Sequence, residues 1–252
     1  MMQVLINSPL DGVLIPLPQY PLYTAALALN SARPVPYYLN EQDDWSLDLP
    51  GLKAGVAKAR EEGTILKAMV VINPGNPTGS ILSVDNMTDI VKLCYEEGLV
   101  LFADEVYQDN IYTKTPFTSF KKVVMDLGAP YSTSLELVSF HSISKGQTGE
   151  CGRRGGYFEL VNFSPEAQEQ IYKIASIQLC PSLGGQIGVD VLVRPPRKGE
   201  ESYDLWTEER AGIASSLKGR SEVLAKAFND LEGITCNSAQ ASLVVKIFTR
   251  RR

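Results

Sequence analysis

Short apolar runs alternate with segments of helical periodicity along the chain, and this alternation constrains the fold more than any other feature. Strands are predicted over residues 12–17, 35–39, 67–72, 99–103, 135–140 and 156–160. Because strands that are apolar throughout must be covered on both faces, the pattern predicts an α/β fold: a mainly parallel mixed sheet with helices on both sides. Ligands of such sheets bind at the carboxyl ends of the strands.

The segments between these runs carry helix signals. Helices are predicted over residues 24–31, 49–62, 122–127 and 165–176, and Ser83 and Gly98 delimit another as its N-cap and its stop. A long helix is predicted because apolar residues recur three, four and seven apart up to Leu231, before Gly233. We therefore expect a large domain at residues 1–198, and a long helix leading into part of a small domain at residues 199–252.

Composition excludes several kinds of protein. The 24 basic and 29 acidic residues give a net charge of −5, which argues against a nucleic-acid partner because phosphates require a basic surface. The sequence contains neither an apolar run long enough for a bilayer nor a signal-peptide layout, so we expect a cytoplasmic protein without membrane contact. The four cysteines are widely spaced and His141 is the sole histidine, so no metal site is predicted.

The run LVLFADEVY, residues 99–107, is a predicted strand that ends in two carboxylates and a phenol. Nucleotide hydrolases hold magnesium at a similar strand end, but the sequence lacks the glycine-rich loop with Gly-Lys-Ser/Thr that cradles a triphosphate. Taken alone, the run is also compatible with a solvated acidic turn.

Two further stretches follow predicted strands. NPGNPTG, residues 73–79, is either a simple rigid turn or a frame that aims the Asn76 side chain at one spot. Residues 139–159 place Lys145 in a small-polar loop and bring Arg153 and Arg154 after it. A lone lysine in such a loop is typically a solvated turn, but three such stretches at one edge of a sheet favour a site.

Together these side chains are the groups that pyridoxal 5′-phosphate requires. Lys145 would form a Schiff base with the cofactor aldehyde, and a buried Asp104 would keep the pyridine nitrogen protonated. Tyr107 and Asn76 would hydrogen-bond the ring oxygen. The phosphate would be held by Ser142, Ser144 and Arg154, and Tyr20 or Tyr23 would stack on the ring.

Several motifs carry a family resemblance. NPGNPTG, ADEVYQDN and FHSISKG followed by GECGRRGGY resemble the class I aminotransferases, and the last two, with PLPQYPLY and QLCPS, resemble the alanine aminotransferases among them. The similarity spans about residues 12–240 and implies the large domain of a fold-type I enzyme. It implies Lys145, Asp104 and Tyr107 as catalytic residues. The implied cofactor contacts are Tyr20, Asn76, Asp104, Tyr107, Ser142, Ser144, Lys145 and Arg154.

The resemblance also implies a reaction. L-alanine and 2-oxoglutarate would give pyruvate and L-glutamate by ping-pong transfer, in a homodimer that binds small amino acids and 2-oxo acids. His141 is expected to pack behind the site rather than to act as a catalyst, and Cys151 to be a small buried residue.

The sequence departs from the family at both ends. Family members are longer, and the arginine that pairs with the substrate carboxylate lies in the C-terminal part that has no counterpart here. After Gln240 the family continues GAMY, whereas this chain reads ASLVVKIFTRRR, and Gln147 stands where an aromatic is common. A non-catalytic fragment that binds the cofactor or a full-length partner is therefore the alternative. A lyase on the same fold is disfavoured by the alanine-aminotransferase-like motifs.

Overall fold

Seven strands form one mixed sheet in a computed structural model that describes residues 1–114, 116–147, 149–177, 179–243 and the backbone of 247–249. The strands are β1 (Asp11–Leu17), β2 (Arg33–Asn40), β3 (Ser46–Leu47), β4 (Ile65–Ile72), β5 (Val100–Asp104), β6 (Leu137–Ser142) and β7 (Gly156–Val161). Their order is β3-β2-β1-β4-β5-β6-β7. The predicted α/β class is confirmed.

Parallel pairing dominates the sheet. β1 pairs in parallel with β2 and β4, and β4, β5 and β6 continue in parallel, whereas β3 and β7 are antiparallel edges. The order of the strands reverses beside β1, which leaves a crevice at the carboxyl edge. The register pairs Ile72 with Asp104 and Asp104 with Phe140, so the loops after β4, β5 and β6 leave the sheet side by side.

Helices cover both faces of the sheet, as predicted. They are α1 (Met2–Leu5), α2 (Leu22–Leu29), α3 (Leu49–Glu61), α4 (Val84–Glu97), α5 (Phe120–Leu127), α6 (Tyr131–Ser134), α7 (Pro165–Ile177), α8 (Leu183–Val193) and α9 (Tyr203–Asn229). Buried side chains of α3, α4 and α5 form one core against the sheet, and those of α2 and α7 form the core on its opposite face. A small pair, β8 (Ile234–Cys236) and β9 (Ile247–Thr249), follows α9.

Local signals placed several boundaries correctly. The Ser83 hydroxyl accepts a hydrogen bond from the Asn86 N–H, and Gly98 ends the same helix in the left-handed conformation at φ +64°. The predicted helix at residues 24–31 begins two residues earlier, at Leu22, directly after Pro21. α8 was not predicted because three glycines in its eleven residues lower its helix propensity.

The predicted division at residues 198 and 199 stays a prediction. Part of the segment 241–252, namely residues 244–246 and 250–252, lies outside the described residues. In the described part of the chain, no helix combines the length and apolar character needed to cross a membrane.

Candidate active site

Three loops converge at the carboxyl edge of the sheet. The strand ladder extends past the strand ends, because the Asn73 N–H donates to the Asp104 carbonyl at 3.0 Å and the Glu105 N–H donates to the Phe140 carbonyl at 3.2 Å. These hydrogen bonds hold the first residue of two loops against the neighbouring strand. The side chains that follow are therefore positioned by the sheet rather than by the loops alone.

Asp104 ends β5 with its carboxylate partly buried. The Tyr23 hydroxyl donates to Oδ2 at 2.5 Å, and the Val106 N–H donates to Oδ1 at 3.4 Å. Burial raises the pKa of Asp104 above its ordinary value, while Tyr23, the Val106 N–H and the charge of Lys145 partly offset that rise. Burial also raises the pKa of Tyr23, so this phenol stays protonated and acts as a donor.

Lys145 lies beside Tyr107, on the loop after β6. Its Nζ is 5.8 Å from the centre of the Tyr107 ring, and the Asn76 amide donates to the Tyr107 hydroxyl at 3.4 Å. Tyr107 is buried, whereas Lys145 is partly accessible. The structure therefore brings an amine, a phenol and an amide together from three different loops, and the charge of Lys145 acts on the Asp104 carboxylate.

The predicted phosphate residues form a connected turn. Nη1 of Arg154 donates to the Ser144 hydroxyl at 3.4 Å and to the Cys151 carbonyl at 3.0 Å. The Ser142 hydroxyl donates to the Gly155 carbonyl at 3.1 Å and accepts from the Ser144 N–H at 3.0 Å. Ser142 thus shapes the loop, while Ser144 and Arg154 present a hydroxyl and a guanidinium together.

The turn that carries Asn76 is closed by its own backbone. The Gly75 N–H donates to the Ser80 carbonyl at 2.9 Å, and the Gly79 N–H donates to the Gly75 carbonyl at 3.1 Å. Gln240 holds the turn from outside, because its amide oxygen accepts from the Ile81 N–H at 2.9 Å and its own N–H donates to the Gly79 carbonyl at 2.8 Å. No local sequence signal identified Gln240 as a support of the site.

Tyr20 and Tyr23 are the two aromatic side chains predicted as candidates to stack on the cofactor ring. Tyr20 lies in the loop between β1 and α2, where 48% of its surface is exposed, and its stacking role stays a prediction. Tyr23, the other stacking candidate, hydrogen-bonds Asp104.

The prediction that Cys151 is buried is wrong: the residue is exposed because it begins a short 3₁₀ turn on the surface.

Glu105 and His141 lie behind the site. The Glu105 carboxylate accepts from the Phe120 N–H at 2.7 Å, and burial raises its pKa to about 7, with Asp104 and Glu159 contributing in the same direction. His141 is buried with its ring edge-on to Tyr157, and burial lowers its pKa. His141 therefore packs behind the site, as expected.

The pKa of Glu105 predicts a pH-dependent stability. A raised native pKa means that the folded state binds the proton more tightly, so the wild type loses stability relative to Glu105→Gln as the pH rises from about 4.5 to about 7. The expected relative loss is of the order of 3 kcal/mol at most. Urea unfolding at several pH values measures it.

The control for this prediction is Glu200→Gln. Glu200 also accepts a backbone N–H, from Arg197, but on the surface. Its substitution should leave the pH profile of the wild type unchanged. A Glu105→Gln profile parallel to that of the wild type would contradict the raised pKa.

The backbone of the Arg154 loop packs closely against Gly185 of α8. A Cβ atom on Gly185 would lie 2.6 Å from the Arg154 carbonyl oxygen and 2.9 Å from that of Arg153. We expect Gly185→Ala to displace the loop and to lower the free energy of unfolding by about 1–3 kcal/mol. Chemical denaturation measures this change.

Gly219→Ala on α9 is the matched control. A Cβ atom there would have no atom of the described residues within 4 Å, so replacing this helical glycine should stabilise the protein by about 0.5–1 kcal/mol. If Gly185→Ala and Gly219→Ala changed the free energy of unfolding equally, the contact at Gly185 would not be tight.

Comparison with known proteins gives the family. The model of the family described as aminotransferase class I and II matches residues 1–252. Alanine aminotransferase 2 from Panicum miliaceum is 51% identical over 244 residues, which are 96% of this chain and 50% of that protein. Glutamate–glyoxylate aminotransferase 1 from Arabidopsis thaliana is 49% identical over 234 residues, which are 92% of this chain and 49% of that protein.

A solved aminotransferase structure from Escherichia coli superposes with a TM-score of 0.81 at 26% identity. The match covers 99% of this chain and 56% of the Escherichia coli chain. Alanine aminotransferase from Pyrococcus furiosus superposes with a TM-score of 0.82 at 23% identity, over 100% of this chain and 59% of its own. The chain spans about half the length of the curated relatives it matches. The family model matches residues 1–252, and the sheet and the arrangement of the site agree with it. The chain therefore belongs to the class I and II aminotransferase family.

Proposed function

We propose that the protein is a pyridoxal 5′-phosphate-dependent aminotransferase that transfers the amino group of L-alanine to 2-oxoglutarate. The observation that carries the proposal is the convergence of Lys145, Asp104, Tyr107 and Asn76 at the carboxyl ends of β4, β5 and β6. Relatives about 50% identical are named alanine aminotransferases, which supports the choice of substrates.

The donor set fits pyridoxal 5′-phosphate. The partly buried carboxylate of Asp104 suits a protonated ring nitrogen, and the Tyr107 and Asn76 pair suits the ring oxygen. Ser144 and Arg154 offer a hydroxyl and a guanidinium for a phosphate. The amine of Lys145 lies beside Tyr107 and would attach covalently to the aldehyde.

When bound, the cofactor supplies an electron sink for the bonds of the amino acid's α-carbon. Lys145 would hold the cofactor at its aldehyde, and the Nζ of the same residue is the group that would move the proton at the α-carbon of the substrate. Asp104 would hold a proton at the ring nitrogen, and the Tyr23 hydroxyl orients that carboxylate. Tyr107 and Asn76 would hydrogen-bond the ring oxygen, and Arg154 would hold the phosphate by a charge-assisted hydrogen bond.

The second substrate has two candidates. 2-Oxoglutarate follows from the alanine aminotransferase resemblance, while a relative of similar identity is named a glutamate–glyoxylate aminotransferase, which makes glyoxylate the second candidate acceptor. Because the chain spans about half of these relatives, its complete substrate site is part of the proposal. Convergence of the cofactor residues supports catalysis over the alternative of a non-catalytic fragment.

We also propose a homodimer. Leu183, Ile187 and Val191 recur every four residues along α8 and are all exposed, so one face of this helix presents an apolar stripe. Exposed apolar surface of this kind supports burial against another protein surface, and a second copy is the expected occupant. The cytoplasmic location stays a prediction.

Reduction with borohydride tests the cofactor site. Purified chain mixed with pyridoxal 5′-phosphate and reduced should carry one stable adduct, on the peptide that contains Lys145, because only this amine lies among the cofactor contacts proposed above. Lys145→Arg should abolish that adduct, and Lys92→Arg, which changes an exposed lysine on α4, should retain it. Peptide mass spectrometry identifies the modified residue.

Adducts spread over surface lysines would contradict the cofactor site. If the adduct forms, turnover of alanine with 2-oxoglutarate and with glyoxylate identifies the acceptor. Ping-pong transfer should give parallel double-reciprocal lines, and intersecting lines would contradict it. An adduct without turnover of either pair would favour the cofactor-binding fragment.

Substitution of Ile187 tests the dimer. Ile187→Glu places a charge in the apolar stripe and should shift the protein from dimer to monomer, since burying an uncompensated carboxylate is unfavourable. Size-exclusion chromatography with light scattering measures the mass. Val223→Glu, at an exposed apolar position of α9, is the control and should leave the dimer intact. A wild-type monomer, or an Ile187→Glu dimer, would overturn the assignment of the stripe.

A further inference from the structure

We propose that the ion pair between Asp109 and Arg210 is a positioning contact through which α9 sets the place of Lys145. The inference rests on the proposed function insofar as it concerns cofactor attachment to Lys145. It assigns a role to two residues that lie outside the cofactor contacts described above.

The carboxylate of Asp109 lies between α9 and the lysine loop. Its Oδ1 accepts from Nη2 of Arg210 at 2.8 Å. Its Oδ2 faces Gly146, because a Cβ atom on that glycine would lie 3.6 Å from it. Gly146 directly follows Lys145 and has φ +74°, a conformation in which a side chain would be strained. The same carboxylate thus hydrogen-bonds the helix and lies beside the residue that follows Lys145.

The backbone of the two loops is joined at the same place. The Asn110 amide donates to the Gly146 carbonyl at 3.0 Å, and this asparagine is almost completely buried. The Gln147 amide donates to the Asp109 carbonyl at 3.5 Å. A shift of Asp109 and Asn110 would therefore move both residues that follow Lys145. These hydrogen bonds connect the segment after β5 to the segment after β6.

Arg210 is itself held in place on α9. Its guanidinium carbon lies 5.2 Å from the centre of the Trp206 ring, one helical turn earlier. The Asp109 side chain is 24% exposed and that of Arg210 is 41% exposed, so the pair is more shielded than an ordinary surface ion pair. A stacked arginine on a long helix provides a fixed point against which Asp109 can be oriented.

A small cavity lies beside this contact. It has a volume of about 130 Å³ and is lined by Asp109, Gln147, Trp206, Glu209, Arg210 and Ile213. Among the residues that the structure describes, the buried amide oxygen of Gln147 has no hydrogen-bond partner. The cavity leaves space beside the Asp109 side chain, and the ion pair with Arg210 restrains that side chain from the helix.

The test uses Arg210→Met, Asp109→Asn and the double variant. Methionine keeps an unbranched apolar stem over Trp206, and asparagine keeps the shape of the aspartate, so each removes one charge with little change of volume. Arg220→Met removes an exposed arginine from the same helix and is the matched control. Arg210→Lys restores a charge without the planar group and should recover part of the effect.

The first measurement is hydrogen–deuterium exchange without cofactor. Each single variant should raise exchange of the peptide around residues 143–147 by about fivefold, the double variant should raise it no further, and Arg220→Met should leave it unchanged. The midpoint of thermal unfolding should stay close to that of the wild type. A uniform rise in exchange across the sheet, or additive effects of the two substitutions, would overturn the positioning role.

The second measurement is the binding of pyridoxal 5′-phosphate, followed by borohydride trapping. The single and double variants should all weaken binding by a similar factor of about five, with the remaining adduct still on Lys145. Unchanged binding in the Arg210→Met and Asp109→Asn variants would overturn the inference. If the wild type forms no Lys145 adduct, the proposed function fails, and hydrogen exchange alone then decides whether the ion pair positions the loop.

Discussion

The parallel pairing of β4, β5 and β6 is the constraint on which the site depends. Parallel strands place their carboxyl ends at one edge, so three loops that are far apart in sequence begin as neighbours. The hydrogen bonds from Asn73 and Glu105 extend this order one residue past the strands. The positions of Asn76, Tyr107 and Lys145 follow from this alignment of the strand ends.

Two adjacent carboxylates at the end of β5 illustrate how the sheet separates functions. Successive side chains of a strand point to opposite faces, so Asp104 contacts Tyr23 of α2 and Glu105 contacts the first residue of α5 on the other side. Burial raises the pKa of both groups, but only Asp104 lies near Lys145. One carboxylate faces the proposed cofactor, and its neighbour joins a helix to the sheet.

Contacts from the second half of the chain hold the loops from outside. Gly185 allows α8 to approach the Arg154 loop at backbone distance, and Gln240 closes the turn that carries Asn76. Arg210 reaches Asp109, next to the lysine loop. The sheet thus positions the site residues, while α8, α9 and the segment after β8 hold the loops in place. Through Arg210, the predicted small-domain region contacts Asp109, next to the lysine loop.

The sequence by itself determined the α/β class, most strand and helix positions, and the three loops that carry Lys145, Asp104, Tyr107 and Asn76. These features depend on local periodicity, caps and motifs, which are readable over a few residues. Only the tertiary structure decided that Tyr23 hydrogen-bonds Asp104, that Cys151 is exposed, and that Arg210 and Gln240 support the loops. Such contacts join residues 81 to 159 positions apart, and their partners are selected by packing and charge in three dimensions, which no local pattern encodes.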